Sequence, residues 1–314
     1  MAEPLAYLNG RILPISQATL PVFDLGLVMG ATVTEMARTF ALRPYRLREH
    51  VDRLWRSIRA TGIAMDHAPE TLVDLASELV ELNGRLIPPG HDLGVSLFVT
   101  AGTSATHTGL VSGISHRKPT VCVHTFPLAF ELYAPRLEAG LHLVTTSVRA
   151  LPADCVDPRI KCRSRMHWYL ADEQARLVDR QAQAILADAD GFLTETSSSN
   201  FCAVFGRRIV TPREGGVLRG ISLDTVAELA AETGCEFAQG DLTPYDVWNA
   251  DEAFCTSTPA CVVPVTRLNS RAIGEGVVGP VAGRLLDAWS NRVGLDIAEQ
   301  IRVGARERMA AAEG

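Results

Sequence analysis

Of the 30 Lys+Arg residues in this chain, only Lys118 and Lys161 are lysines. A guanidinium stays protonated in a protein, whereas an amine can lose its proton and attack a carbonyl carbon. A lysine kept in an arginine-biased chain is therefore a candidate for chemistry. Lys118 lies in the polar run "SHRKPT" and reads as a solvated loop charge. Lys161 lies in "DPRIKCRSR", among Arg159, Arg163 and Arg165. Positive neighbours favour the neutral, nucleophilic amine if they lie close in space. The plain alternative is a surface lysine that escaped replacement.

Two later stretches bear on this choice. "LTETSSSNF" (193–201) places one carboxylate, Glu195, ahead of four hydroxyl residues and Asn200. "VLRGISLDTV" (217–226) places Gly220, Ile221 and Ser222 where a helix begins. Free N–H groups and the positive dipole end make such a start a seat for an anion. Taken singly, the helix start reads equally as capping, the hydroxyl run as a turn and Glu195 as a solvated charge. In this order they supply what pyridoxal phosphate needs: an amine for covalent attachment, a carboxylate for the pyridine nitrogen and a seat for the phosphate.

The elements that must position these groups follow from patterning. Asn9-Gly10 between two apolar runs signals a hairpin. "ATVTEMARTF" alternates as a strand. Leu47, Val51, Leu54 and Ile58 recur at helical spacing, with Gly62 as a stop. "PETLVDLASELVELNG" is a second helix, with proline near its start, and "GVSLFVTAG" and "TVCVHTF" are core strands. The segment 127–139, with two prolines, is expected to be a linker between an N-terminal domain (1–126) and a C-terminal one (140–314). The C-terminal part mixes short strands ("HLVTTSV", "QAILAD", "FCAVF", "EAFCTS") with helices in "HWYLADEQARLVDR" and "SLDTVAELAAETG", the latter with Ser222 as N-cap. The fold class expected is α+β.

Composition excludes several classes. The formal net charge is −6, with no basic stripe bearing interleaved aromatics, so no nucleic-acid partner is expected. No apolar run approaches a membrane span, and no signal-peptide pattern opens the chain. Seven scattered cysteines without C-x-x-C and eight dispersed histidines suggest a reducing, cytoplasmic setting and no metal site.

The ordered set resembles the class IV (fold-type IV) pyridoxal phosphate aminotransferases, the group of branched-chain and D-amino acid aminotransferases, (R)-selective amine transaminases and aminodeoxychorismate lyase. The resemblance runs over nearly the whole chain, from "YLNGRILPI" through "RPYRLREHVDRLWRS" to "FCTSTPACVVPV" and "IGEGVVGP". It implies a small α/β N-terminal domain, a larger pseudo-barrel C-terminal domain, a homodimer and pyridoxal 5′-phosphate as cofactor. It makes Lys161 the Schiff-base lysine and proton shuttle, and Glu195 the pyridine-nitrogen partner, followed by Asn200. Arg53, Ile221, Ser222, Ser257 and Thr258 become phosphate-side residues. Arg165 lies near the O3′ side of the cofactor.

Departures from the family pattern concern the substrate. Met29 and Thr34 stand where branched-chain enzymes tend to carry aromatics. Thr106 and Thr108 stand where D-amino acid enzymes carry an arginine and a histidine. Cys202 replaces an aromatic, and Leu223 a basic residue. Pro259, beside Ala260 in "TSTPA", has no N–H to offer a substrate carboxylate, which leaves Arg38 as a substitute. The activity implied is amino transfer from an amino acid or amine to a 2-oxo acid by a ping-pong mechanism. A lyase of the same fold, and a non-catalytic cofactor-binding homologue, are the alternatives.

Overall fold

Asn9 and Gly10 both adopt positive φ (49° and 89°) and close a two-residue hairpin between β1 (Leu5–Leu8) and β2 (Arg11–Pro14). The computed structural model describes residues 3–108 and 118–313. Gly109 of "TAGTSATHTG" and Ser115 to Arg117 of "SHRKPT" lie outside the described residues, and Lys118 itself is exposed. The chain divides into two units after Leu128, and Ile160–Arg165 belongs to the first.

The first unit is a six-stranded sheet ordered β2-β1-β6-β5-β3-β4, every neighbouring pair antiparallel. Its remaining strands are β3 (Thr32–Phe40), β4 (Arg43–Pro44), β5 (Leu93–Thr100) and β6 (Val121–Pro127). Two helices, α1 (Leu47–Thr61) and α2 (Pro69–Gly84), cover one face. Gly62 ends α1 in the left-handed region, as a C-cap glycine does, and proline opens α2. Strand alternation decides what each face carries. Val33, Ala37, Val95, Leu97, Val99, Val121 and Val123 join Val51, Leu54, Leu72 and Leu79 in the core. The opposite face of the same strands mixes polar Thr34, Arg38, Ser96 and His124 with apolar Met36, Phe98, Cys122 and Phe126.

In the second unit, the segment expected as a linker is instead mostly helix, α3 (Phe130–Ala139), with Phe130 and Leu137 buried. Of its two prolines only Pro135 falls inside the helix; Pro127 ends β6. After it come β7 (Leu141–Arg149), α4 (Met166–Val178), β8 (Gln183–Ala187), β9 (Leu193–Thr196), β10 (Asn200–Phe205) and β11 (Arg208–Pro212). Then follow α5 (Ile221–Glu232), β12 (Glu236–Gly240), β13 (Glu252–Ser257), β14 (Cys261–Leu268) and β15 (Arg271–Ala272). Helices α6 (Pro280–Val293) and α7 (Ile297–Glu313) complete the unit.

The strand path β10-β13-β14-β7-β8-β9 returns to β10, because β9 pairs β8 on one side and β10 on the other. Six strands thus close into a barrel, with β11 and β12 extending from β10. The closing register is a single pair, Glu195 opposite Asn200. The α+β class with a pseudo-barrel C-terminal unit is what the structure shows.

Candidate active site

In the first unit, residues 161–163 pair with the outer side of β3. Thr34 N–H donates to the Lys161 carbonyl at 2.8 Å, Arg163 N–H donates to the Thr32 carbonyl at 2.9 Å, and Cys162 lies opposite Val33. Lys161 N–H reaches Ser57 Oγ on α1 at 3.2 Å. These bonds explain why this short stretch belongs to the unit its sequence neighbours leave. Lys161 thus adjoins an isolated bridge between Cys162 and Val33, its own backbone pinned at both ends, and is half-buried rather than a freely exposed surface lysine.

Beside it lies a buried ionic cluster. The Glu35 carboxylate takes two bonds from Arg53, Nε to Oε2 and Nη2 to Oε1, both at 2.7 Å. It also accepts the Met36 N–H at 2.8 Å and faces His50 Nδ1 at 3.1 Å. Burial opposes its charge, but the Arg53 guanidinium and the His50 bond hold the carboxyl well below its usual range. Burial pulls His50 below its usual value, and the Arg53 and Lys161 charges pull the same way, so His50 is neutral near pH 7. Arg53 is thus buried and already gives two donors to Glu35. Neither Glu35 nor His50 was singled out from sequence. The signal was present: Glu35 shares strand parity with Val33 and Ala37, so a carboxylate falls on the core side. His50 and Arg53 lie three apart on the facing helix.

Two expected pocket residues behave differently from expectation. Arg38 is 2 % exposed, 3.8 Å from Asp92, with Nε on the Thr39 carbonyl at 3.0 Å and its guanidinium 4.0 Å from the Phe40 ring centre. The Arg38 guanidinium is thus engaged inside its own unit. Met29 is 66 % exposed at the end of a single helical turn, Leu25–Val28. Thr34 is buried, donates to the Leu97 carbonyl at 3.0 Å and accepts from Arg163 Nη2 at 3.2 Å. Arg165 is half-buried, and its charge bears on Arg163.

In the second unit Glu195 stands on β9 at the barrel closure. Its Oε2 accepts Asn200 Nδ2 and the Leu218 N–H, each at 3.2 Å. Asn200 Nδ2 also donates to the Leu218 carbonyl at 2.7 Å. One amide thereby ties the carboxylate to the loop entering α5. Gly220 follows in that loop, and a Cβ there would meet Asn200 Oδ1 at 2.1 Å. Its φ of −77° suits any residue, so contact with Asn200, not backbone freedom, demands glycine. The N-cap of α5 is Gly220 rather than Ser222, which is the second helical residue, and no side chain caps the helix. Among the described residues the N–H groups of Ile221, Ser222 and Leu223 have no acceptor, and all three residues are buried. Buried orphan donors at a helix start call for an anionic ligand.

The turn between β13 and β14 holds Thr258, Pro259 and Ala260, with Ser257 opposite Cys261. Thr256 Oγ1 donates to the Cys261 carbonyl at 2.7 Å. Cys261 takes φ of 62°, a conformation a non-glycine residue holds only when its surroundings fix it. Ala260 is fully buried, while Thr258 and Pro259 are half-buried. The donor set fits pyridoxal phosphate on two counts: orphan N–H groups for the phosphate, and a fixed carboxylate for the ring nitrogen.

Comparison with known proteins places this geometry in context. The family model described as amino-transferase class IV matches residues 32–268. A putative branched-chain-amino-acid aminotransferase of Methanocaldococcus jannaschii is 32% identical over 91% of this chain and 95% of its own length. A D-alanine aminotransferase of Bacillus licheniformis is 29% identical over 91% and 95%. Among solved structures, a branched-chain amino acid aminotransferase of T.th. complexed with N-(5′-phosphopyridoxyl)-L-glutamate superposes with a TM-score of 0.80. It is 28% identical and covers 93% of this chain and 95% of its own.

Proposed function

The chain belongs to the amino-transferase class IV family and is a pyridoxal-phosphate-dependent transaminase, and from that premise we propose how its residues divide the work. It moves an amino group from an amino acid or amine to a 2-oxo acid in two half-reactions, in the manner of branched-chain and D-amino acid aminotransferases. The observation that carries this reading is the Asn200 amide, which braces Glu195 and lies against Gly220 at the uncapped start of α5. A carboxylate and an anion seat are thereby fixed by one side chain.

When bound, pyridoxal phosphate supplies an electron sink that lets the carbon beside the amino nitrogen lose its proton. Lys161 provides the nucleophilic nitrogen that holds the cofactor and, when released, the base that carries the proton. Glu195 would be the partner for the ring nitrogen, oriented by the Asn200 amide and the Leu218 N–H. Ile221 and Ser222 would offer backbone N–H groups to the phosphate, with Ser257, Thr258 and Arg53 as further phosphate-side residues and Arg165 on the O3′ side. Thr34, Met29, Pro259 and Ala260 shape the substrate pocket. Because Pro259 offers no N–H and Met29 and Thr34 are not aromatic, the preferred donor differs from L-leucine, L-isoleucine and L-valine. The enzyme is a cytoplasmic homodimer whose two domains follow the sequence division, except that the boundary falls after Leu128, the 130–139 segment is helical and Ile160–Arg165 joins the first domain. No helix among the described residues is long and apolar enough to cross a membrane.

A panel of L- and D-amino acids and (R)-1-phenylethylamine, each with 2-oxoglutarate or pyruvate, tests the reading. Amino transfer with parallel double-reciprocal plots is expected. Cleavage without amino transfer would overturn it in favour of a lyase, and a tenfold lead for a branched-chain L-donor would overturn the pocket assignment.

A further inference from the structure

Arg163 lies two residues beyond Lys161 on the edge segment beside β3, and no salt bridge neutralises it among the described residues. Five arginines of this unit, Arg38, Arg46, Arg48, Arg53 and Arg85, each have a carboxylate within 4 Å. Arg163 has instead a neutral hydroxyl, Thr34 Oγ1 at 3.2 Å, and the Phe98 ring, whose centre lies 5.6 Å from its guanidinium carbon. Its remaining titratable neighbours carry no negative charge at neutral pH. Burial pushes the Cys122 thiol up to about 11, and it holds His124 below its usual value. Arg165 adds a like charge. Desolvation and that charge together pull Arg163 below the ordinary guanidinium value.

The guanidinium is also pre-positioned. Thr34 Oγ1 spends its proton on the Leu97 carbonyl, which leaves the hydroxyl only as an acceptor towards Arg163. The Arg163 backbone is pinned to Thr32, and the next residue, Ser164, donates Oγ to the Gly30 carbonyl at 2.8 Å. A planar cation held by a hydroxyl and a ring, with N–H donors to spare, matches a carboxylate. In an α-amino acid the carboxylate is bonded to the carbon that bears the nitrogen reacting at the lysine. A carboxylate holder must therefore stand within a few ångströms of the amine. Residues two apart in the chain lie at most about 7 Å from each other between Cα atoms, within reach of an arginine side chain, and Lys161 and Arg163 both bond the same short stretch of β3, at Thr34 and Thr32.

We propose that Arg163, anchored by Thr34 and Phe98, grips the α-carboxylate of the amino donor and of the 2-oxo acid. This rests on the aminotransferase assignment above and deepens it by naming the specificity residue. Carboxylate-bearing substrates are preferred over simple amines for this reason, and Thr34, besides shaping the pocket, positions the guanidinium.

The test uses the cofactor-loaded enzyme and propionate, a carboxylate without an amine, with propionamide as its uncharged counterpart. Calorimetry on Arg163→Met is expected to show propionate binding weakened roughly 10- to 100-fold, the loss expected for a charge-assisted bond. Arg163→Lys retains the charge but not the fork, and is expected to recover part of the affinity. Thr34→Val, which loosens the anchor alone, is expected to weaken propionate several-fold. In steady state the defect falls on KM for the amino acid more than on kcat. Propionate affinity within twofold of wild type in Arg163→Met overturns the assignment, as does an equal loss for propionamide. If Arg163→Met does not fold, unchanged propionate affinity in both Arg163→Lys and Thr34→Val overturns it. A wild-type enzyme that transfers no amino group refutes the aminotransferase reading itself, a result distinct from these.

Discussion

Replacing Gly220 by alanine puts the bracing of Glu195 under direct stress. The new Cβ would sit 2.1 Å from Asn200 Oδ1, whereas Cβ contacts essentially never fall below 3.0 Å, so the amide must retreat by about 0.9 Å. Asn200 is short and rooted in β10, so a retreat of that size cannot be absorbed by a distant rotamer. It stretches the 2.7 Å bond to the Leu218 carbonyl and the 3.2 Å bond to Glu195. The first is worth about 1 kcal/mol net and the second, to an ionised group, about 1.5–3 kcal/mol. A loss of about 2.5–4 kcal/mol is expected, at the upper end of ordinary overpacking. Urea denaturation of the wild type, Gly220→Ala, Asn200→Ala and the double variant reads it out. In the Asn200→Ala background the obstructing amide is gone, so the further cost of Gly220→Ala is expected to fall to about 1 kcal/mol or less. Equal costs in the two backgrounds, or a Gly220→Ala protein as stable as wild type, would refute the account of why glycine stands there.

Lys161→Arg is expected to fold with an unchanged melting temperature yet lose both the visible absorbance of lysine-bound cofactor and all steady turnover; an active variant would remove Lys161 from the chemistry. Glu195→Gln is expected to retain bound cofactor and lose roughly 10²-fold or more in rate. Near-normal rates at saturating donor would show that Glu195 acts elsewhere. The third expectation concerns acid. His50 and Glu35 both have folded pKa values below their ordinary ones of 6.5 and 4.5. In each case the unfolded chain binds the proton first, so stability is complete above pH 6.5, declines as pH falls below it through His50, and declines further below 4.5 through Glu35. Melting temperatures from about pH 8 to 4 check the sign. A His50→Gln variant should lose the slope between about 6.5 and 5, and an unaltered slope would show that other groups set the acid response.

Much of the first unit was legible because its signals are local. The Asn9-Gly10 turn, the Leu47, Val51, Leu54 and Ile58 stripe and the Gly62 stop each specify their element within a few residues. The second unit was legible in its pieces but not in its closure. The spacing of Glu195 and Asn200 suggested function, yet their pairing across β9 and β10 completes a path of six strands separated widely in sequence. No local pattern encodes it. Ser222 misled for a related reason: serine is a favoured N-cap, but the loop into α5 is fixed from outside by Asn200, which leaves Gly220 in the capping position. Arg38 is buried against Asp92 and the Phe40 ring while Arg163 is exposed, a difference set by the distant Asp92 and by the fold rather than by any local pattern.

The six residues from Ile160 to Arg165 bridge the edge of a sheet whose strands all lie before Leu128. During synthesis the first unit therefore leaves the ribosome with the Thr32–Thr34 edge of β3 open, and stays so until more than thirty further residues have been made. An open strand edge is a template for wrong partners. The segment that bridges this edge is the one that carries Lys161, so the nascent protein covers its open edge in the same step that sets Lys161 in place. Substitutions that weaken the Thr32–Arg163 or Thr34–Lys161 pairing should thus show first as poor yield of soluble protein, before any kinetic defect can be measured.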